Sequence, residues 1–258
     1  MFGEDFVWGV ASSAYQVEGT DAADGRGACV WDMFAADGRV FEHQNADTSC
    51  DHMHHYKEDI ALMRHLGIRA YRFSLNWARI LPEGTGRVNE KAIAMYRDMI
   101  LTMKENGITP YLTLFHWEFP QALYERGGWQ NPDVVQWFGE YAKVVAENFS
   151  DICEYFITIN EPQCVVGLGH LSGVHAPGVK LPVAQTFLVA HHLLMAHGQA
   201  VINLRRYAVR PVRIGFAPTG GVAYPYTDRS EDIEAAKKVY FGFYNPIDNW
   251  TWNVAWFS

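Results

Sequence analysis

Gly107-Ile108-Thr109-Pro110-Tyr111-Leu112-Thr113-Leu114-Phe115-His116-Trp117 passes from a helix stop, through an apolar and aromatic strand, to a polar and aromatic pair. Glycine ends a helix because it takes the left-handed conformation without a Cβ clash. Gly67-Ile68-Arg69-Ala70-Tyr71-Arg72-Phe73-Ser74-Leu75 repeats this arrangement 40 positions earlier. Glu154-Tyr155-Phe156-Ile157-Thr158-Ile159-Asn160-Glu161-Pro162 carries a third strand, its Tyr155 lying 44 positions after Tyr111. There a proline ends the run, since it cannot extend a ladder.

Helical stripes lie between these strands. Tyr56, Ile60 and Met63 precede Gly67, and Ile93, Tyr96, Ile100 and Met103, with Asn89 as N-cap, precede Gly107. Val135, Phe138, Ala142, Val145 and Phe149 follow Asn131, the expected cap, and Pro132 in the first turn. A fourth helix, residues 182–206, leads to a strand over 212–217, and residues 231–240 read as a further helix. Upstream, Phe6-Val7-Trp8-Gly9-Val10-Ala11 reads as a first strand, and the Gly- and Asp-rich residues 21–51 as a long loop.

Strict alternation of strand and helix predicts right-handed crossovers and a parallel sheet. Doubly wound sheets and (β/α)8 barrels both satisfy it. No glycine-rich phosphate fingerprint follows the first strand, and polar residues gather instead after several strand C-termini, the habit of a barrel. The expected class is therefore α/β, a (β/α)8 TIM barrel represented by about its first five strands, in one domain over residues 1–258. The aromatic run Trp250-Thr251-Trp252-Asn253-Val254-Ala255-Trp256-Phe257-Ser258 brings no sixth strand.

Bulk properties narrow the chemistry. With 49% hydrophobic and 19% charged residues, a large core is available and disorder is excluded. A net charge of −8 without a basic stripe excludes a nucleic-acid partner. The four cysteines form no CxxC pair, which points to reduced thiols in a cytoplasmic protein. No apolar run is long enough to span a membrane, and the N-terminus lacks the basic start of a signal peptide. His52, His54 and His55 have an HxH spacing, but they precede a helical stripe rather than end a strand, so no metal and no cofactor are expected.

At the strand ends stand Gln16 and Glu18, then Arg72 and Asn76, then His116, Trp117 and Glu118, then Asn160 and Glu161. A carboxylate leaving an apolar strand suits a general acid. Amides, imidazole and carboxylate beside indoles suit a sugar, whose hydroxyls need paired donors and acceptors and whose apolar face needs a ring. Glu118 reads as loop structure, and at least one of mid-helix His191 and His192 as a satisfied core or surface histidine.

Trp8-Gly9-Val10-Ala11-Ser12-Ser13-Ala14-Tyr15-Gln16-Val17-Glu18-Gly19 resembles the N-terminal signature of glycoside hydrolase family 1, the β-glucosidase family. So, in order, do Tyr56-Lys57-Glu58-Asp59-Ile60, Tyr71-Arg72-Phe73-Ser74, Phe115-His116-Trp117, Thr158-Ile159-Asn160-Glu161-Pro162 and Gly173-Val174-His175-Ala176-Pro177-Gly178. The resemblance implies Glu161 as general acid/base and Asn160 as the contact to the sugar 2-hydroxyl. It implies Gln16, His116 and Trp117 as parts of the glycone subsite, and Arg72 as support for the nucleophilic carboxylate. The implied mechanism is retaining hydrolysis of a terminal β-glycoside by two carboxyl groups about 5–5.5 Å apart.

The family's nucleophile segment, Ile/Val-Thr-Glu-Asn-Gly, does not occur in this sequence, so the resemblance covers the N-terminal half or slightly more. Two readings follow: a β-glucosidase-like hydrolase whose nucleophile lies outside this chain, or a non-catalytic half-barrel that self-associates or needs a complementary C-terminal half. The isolated chain is expected to be inactive.

Overall fold

The computed structural model describes residues 2–3, 5–20, 24–220 and 222–241. Five strands, β1 (Gly9–Ala11), β2 (Ala70–Ser74), β3 (Thr109–Phe115), β4 (Tyr155–Asn160) and β5 (Arg213–Ala217), form one sheet in chain order. Every pairing is parallel. The crossovers are α1 (His52–His65), α2 (Glu90–Glu105), α3 (Val134–Phe149) and α4 (Val183–Tyr207), and α5 (Ser230–Phe241) follows β5.

The helices form where capping and periodicity agree. Asn89 accepts from the Ala92 amide at the start of α2, and Ala92, Ile93, Tyr96, Met99, Ile100 and Met103 bury its stripe. Gly67 and Gly107 take φ +75° and +73°, the left-handed stops their positions predicted. On α3, Gly139 lets α4 approach closely: an added Cβ would stand 2.7 Å from Gln199 Cγ. Asn203 then donates to the Gly139 carbonyl at 2.7 Å. The core centres on Trp77, whose ring stacks on Tyr141 with centroids 5.0 Å apart.

Some boundaries move, each for a local reason. The first strand pairs only over Gly9–Ala11, not Phe6–Ala11. Ahead of it the Trp8 carbonyl still accepts from the Arg69 amide at 2.9 Å, while the rings of Phe2, Phe6 and Trp8 pack on one another at 4.2–5.2 Å. The second strand begins at Ala70 rather than Ile68, and the third ends at Phe115, because the chain turns at His116 and Trp117, the latter with φ +82°. Asn131 is not the cap of α3. Its Oδ1 accepts from the Asp133 amide at 2.9 Å, which closes a turn ahead of the helix and makes Asp133 the N-cap.

The predicted long loop over 21–51 contains a helix, Val30–Ala36, and a 3-10 turn, Phe41–His43. Seven residues are too few to show a 3.6 period. Local capping holds them: the Asp32 carboxylate accepts from the Cys29 amide at 2.7 Å and pairs with Arg26 at 2.9 Å. The expected α4 range shifts by one residue. Trp250–Ser258 lies outside the described residues.

Candidate active site

The site begins where β4 stops. Asn160 ends the strand, and Glu161 takes φ +44°, an uncommon conformation for a side-chain-bearing residue and a mark of a constrained position. The Glu161 amide donates to Ala217 of β5 at 2.7 Å, and Pro162 opens a short helix, Pro162–Cys164. Glu161 is half-buried. The Cys164 thiol donates to Glu161 Oε2 at 3.3 Å.

Asn160, buried, is the hub. Its Oδ1 accepts from Arg72 Nη2, its carbonyl accepts from Trp117 Nε1 at 3.0 Å, and its Nδ2 lies 3.1 Å from His116 Nε2. Because the amide oxygen faces the guanidinium, the amide nitrogen donates to His116. That leaves the His116 proton on Nδ1, which is buried and has no partner. Arg72 also donates from Nε to Thr113 Oγ1 at 3.0 Å. Three strands thus converge on one amide.

Burial, aided by the Arg72 charge, draws the His116 pKa down to about 4, so the ring is neutral around pH 7. Burial also lowers the Arg72 pKa, and the Glu161 carboxylate opposes that shift. Gln16 sits on the one-turn helix Ala14–Val17, accepts from Ser13 Oγ at 2.8 Å, and lines a cleft of about 420 Å³ with His116, Trp117, Tyr15 and Trp31. Glu161 and Asn160 adjoin that cleft through Trp117 and His116 rather than lining it.

Residues not singled out from sequence complete the surroundings. Trp31 and Trp117 flank His175, with ring centroids 5.6 and 5.5 Å away. Burial lowers the His175 pKa and Glu161 opposes that shift. Cys164, three residues after Glu161, gave no signal as a thiol, and Trp31 was one tryptophan among nine.

The other candidates fall into structural places. Glu18, fully buried, accepts from Tyr96 Oη at 2.8 Å and pairs with Arg79 at 3.3 Å. Glu118 is fully buried and accepts from Ser74 Oγ at 3.3 Å. His52, His54 and His55 stand in the first turn of α1 against Asp59, Asp51 and Glu58 carboxylates at 2.6, 2.6 and 2.9 Å. Among the described residues no group of three or more His, Cys, Asp or Glu is placed to hold a metal ion. Buried His192 bonds the Trp129 carbonyl at 2.7 Å, which is a structural role. No described helix is long and apolar enough to cross a membrane.

The family model for "Glycosyl hydrolase family 1" matches residues 1–251. The chain belongs to glycoside hydrolase family 1. This family member is 44% identical over 252 residues to "Beta-glucosidase A" of Thermotoga maritima, covering 95% of this chain and 56% of that protein. It is 40% identical over 245 residues to the "Beta-glucosidase" of Agrobacterium sp., covering 95% and 53%. Among solved structures, "Family 1 b-glucosidase from Thermotoga maritima" superposes with a TM-score of 0.86 at 44% identity, covering 93% of this chain and 54% of that one. The same enzyme "in complex with glucoimidazole" superposes equally well. The chain spans about half the length of the curated relatives it matches. Its five parallel strands are the partial (β/α)8 barrel expected of a family 1 hydrolase.

Proposed function

We propose that this chain supplies the acid/base portion of a retaining β-glucosidase acting on terminal β-D-glycosides. Glu161 is the general acid/base, Asn160 the contact to the 2-hydroxyl, and Gln16, His116 and Trp117 the walls that hold the glycone, with Arg72 as support. The observation that carries this reading is the convergence of Arg72, His116 and Trp117 on Asn160, next to Glu161. A buried, neutral imidazole whose Nδ1–H lacks a partner is a donor awaiting a hydroxyl. The relatives' names and the glucoimidazole complex of the Thermotoga maritima enzyme support a saccharide as the ligand.

Retaining hydrolysis needs a second carboxylate about 5–5.5 Å from the first, to attack the anomeric carbon while the acid protonates the departing oxygen. Glu18 and Glu118 are buried and engaged elsewhere, so neither is offered as that nucleophile. The 258-residue chain by itself is therefore proposed to be inactive, and to need a complementary polypeptide carrying the second carboxylate. The place proposed for it is the cytoplasm.

Hydrolysis of p-nitrophenyl β-D-glucoside tests this reading. No turnover is expected from the chain alone, and turnover is expected once a complementary half from a family 1 relative is added. Glu161→Gln should abolish the restored rate. Full activity of the unaccompanied chain, or of Glu161→Gln, would refute the assignment.

A further inference from the structure

Arg39 follows the helix Val30–Ala36 and reaches the segment 173–178. Its Nη2 donates to the carbonyl oxygens of both Gly173 and Gly178 at 2.9 Å, and its guanidinium lies 4.3 Å over the ring of Phe34. Phe34 belongs to the buried core. A planar, delocalised cation can stack and donate at once, which an ammonium cannot. Gly173 and Gly178 take φ +70° and +78°, and a Cβ at Gly178 would stand 2.2 Å from Arg39 Nη1. The guanidinium fills the space a side chain would need.

Between the two gripped carbonyls lies His175, wedged between Trp31 and Trp117. Trp31 itself packs against Phe34, with centroids 5.5 Å apart. The short helix and the turn after it therefore hold the segment at both ends through Arg39 and at its middle through Trp31.

We propose that Arg39 is a positioning residue that locks His175 between Trp31 and Trp117 as a wall of the leaving-group subsite. The inference rests on the hydrolytic reading above. An acid that protonates the departing oxygen must face the leaving group. His175, Trp31, Trp117 and Cys164 line one small cavity, and the Cys164 thiol donates to Glu161 Oε2 at 3.3 Å, so His175 stands on the Glu161 side. An imidazole held between two indoles presents a ring edge and a polar nitrogen, which fits a flat, aromatic leaving group.

The test uses the 258-residue chain with Arg39→Ala and Arg39→Lys, their folding checked by circular dichroism. Two probes share a glycone and resist hydrolysis: p-nitrophenyl 1-thio-β-D-glucoside and methyl 1-thio-β-D-glucoside. Binding is read by tryptophan fluorescence and the His175 ring by NMR. Arg39→Ala should move the His175 signals and weaken the aryl probe roughly tenfold, with less than about a twofold change for the methyl probe. Arg39→Lys should recover part of the loss, and it carries the same comparison if Arg39→Ala does not fold. Equal losses for both probes, or unmoved His175 signals, would overturn the inference. Failure of the unaltered chain to bind either probe overturns the saccharide reading and the leaving-group role with it; the His175 signals then decide separately whether Arg39 locks the segment.

Discussion

Arg72 and Asn160, 88 positions apart in the chain, are joined by a guanidinium-to-amide hydrogen bond that spans the intervening strand β3. That bond chooses which way the Asn160 amide faces, and through it the tautomer of His116. A long-range contact of this kind makes the two sides of the site one unit.

Replacing Arg72 should therefore disturb groups it does not touch. Arg72→Met keeps the stem but removes the donors to Asn160 and Thr113. A hydrogen bond to a charged group is worth about 1.5–3 kcal/mol, and a loss of that order is expected in urea denaturation. The His116 ring signals should shift as well. An unmoved His116 would show that Asn160 is oriented by something else.

His116 and buried His170 are both drawn by burial down to about 4, from an ordinary 6.5. Between those values the unfolded chain binds protons that the folded chain refuses. Stability should accordingly fall as pH drops from about 6.5 towards 4, by at most about 3 kcal/mol per histidine. NMR titration checks the cause directly, and midpoints near 6.5 for both rings would remove it.

Glu118 behaves in the opposite sense. Burial, reinforced by the Glu18 charge, holds its pKa well above 4.5. The folded state keeps the proton that the unfolded state releases, so Glu118 lowers stability progressively as pH rises above about 4.5. Glu118→Gln should match the unaltered chain near pH 4 and exceed it at pH 8 in urea denaturation. A difference that is the same at both pH values would contradict this.

The sheet's outer strands should promote association. Among the described residues β1 and β5 each pair on one side only, and at β1 Trp8 and Val10 are 55% and 40% exposed. Unpaired edges and uncovered apolar side chains favour pairing with a second copy or a complementary half. Sedimentation velocity should show larger species as concentration rises. A single monomeric boundary at every concentration would exclude self-association.

The repeating strand, stripe and glycine stop were legible because each is local: Gly67 and Gly107 read correctly from the bond that must turn at a helix end. That Asn160 ends β4 with Glu161 next to it, and that His116 and Trp117 follow β3, was legible from the strand pattern. The roles of these residues and of Gln16 and Arg72 come from the family resemblance and stand as proposals. The cap of α3 is not legible, because the Asn131 oxygen is used in a turn to the Asp133 amide and Asp133 enters the helix without a side-chain capping bond, so only the backbone path decides where the helix starts.

Tertiary structure alone decided the rest. It set the positive φ of Trp117 and Glu161, the orientation of Asn160 by Arg72, and the grip of Arg39 on Gly173 and Gly178. Sequence determines which side chains stand at the strand ends, since that follows from local periodicity. Which atoms meet depends on the register of strands brought together from distant parts of the chain, and no local pattern carries that information.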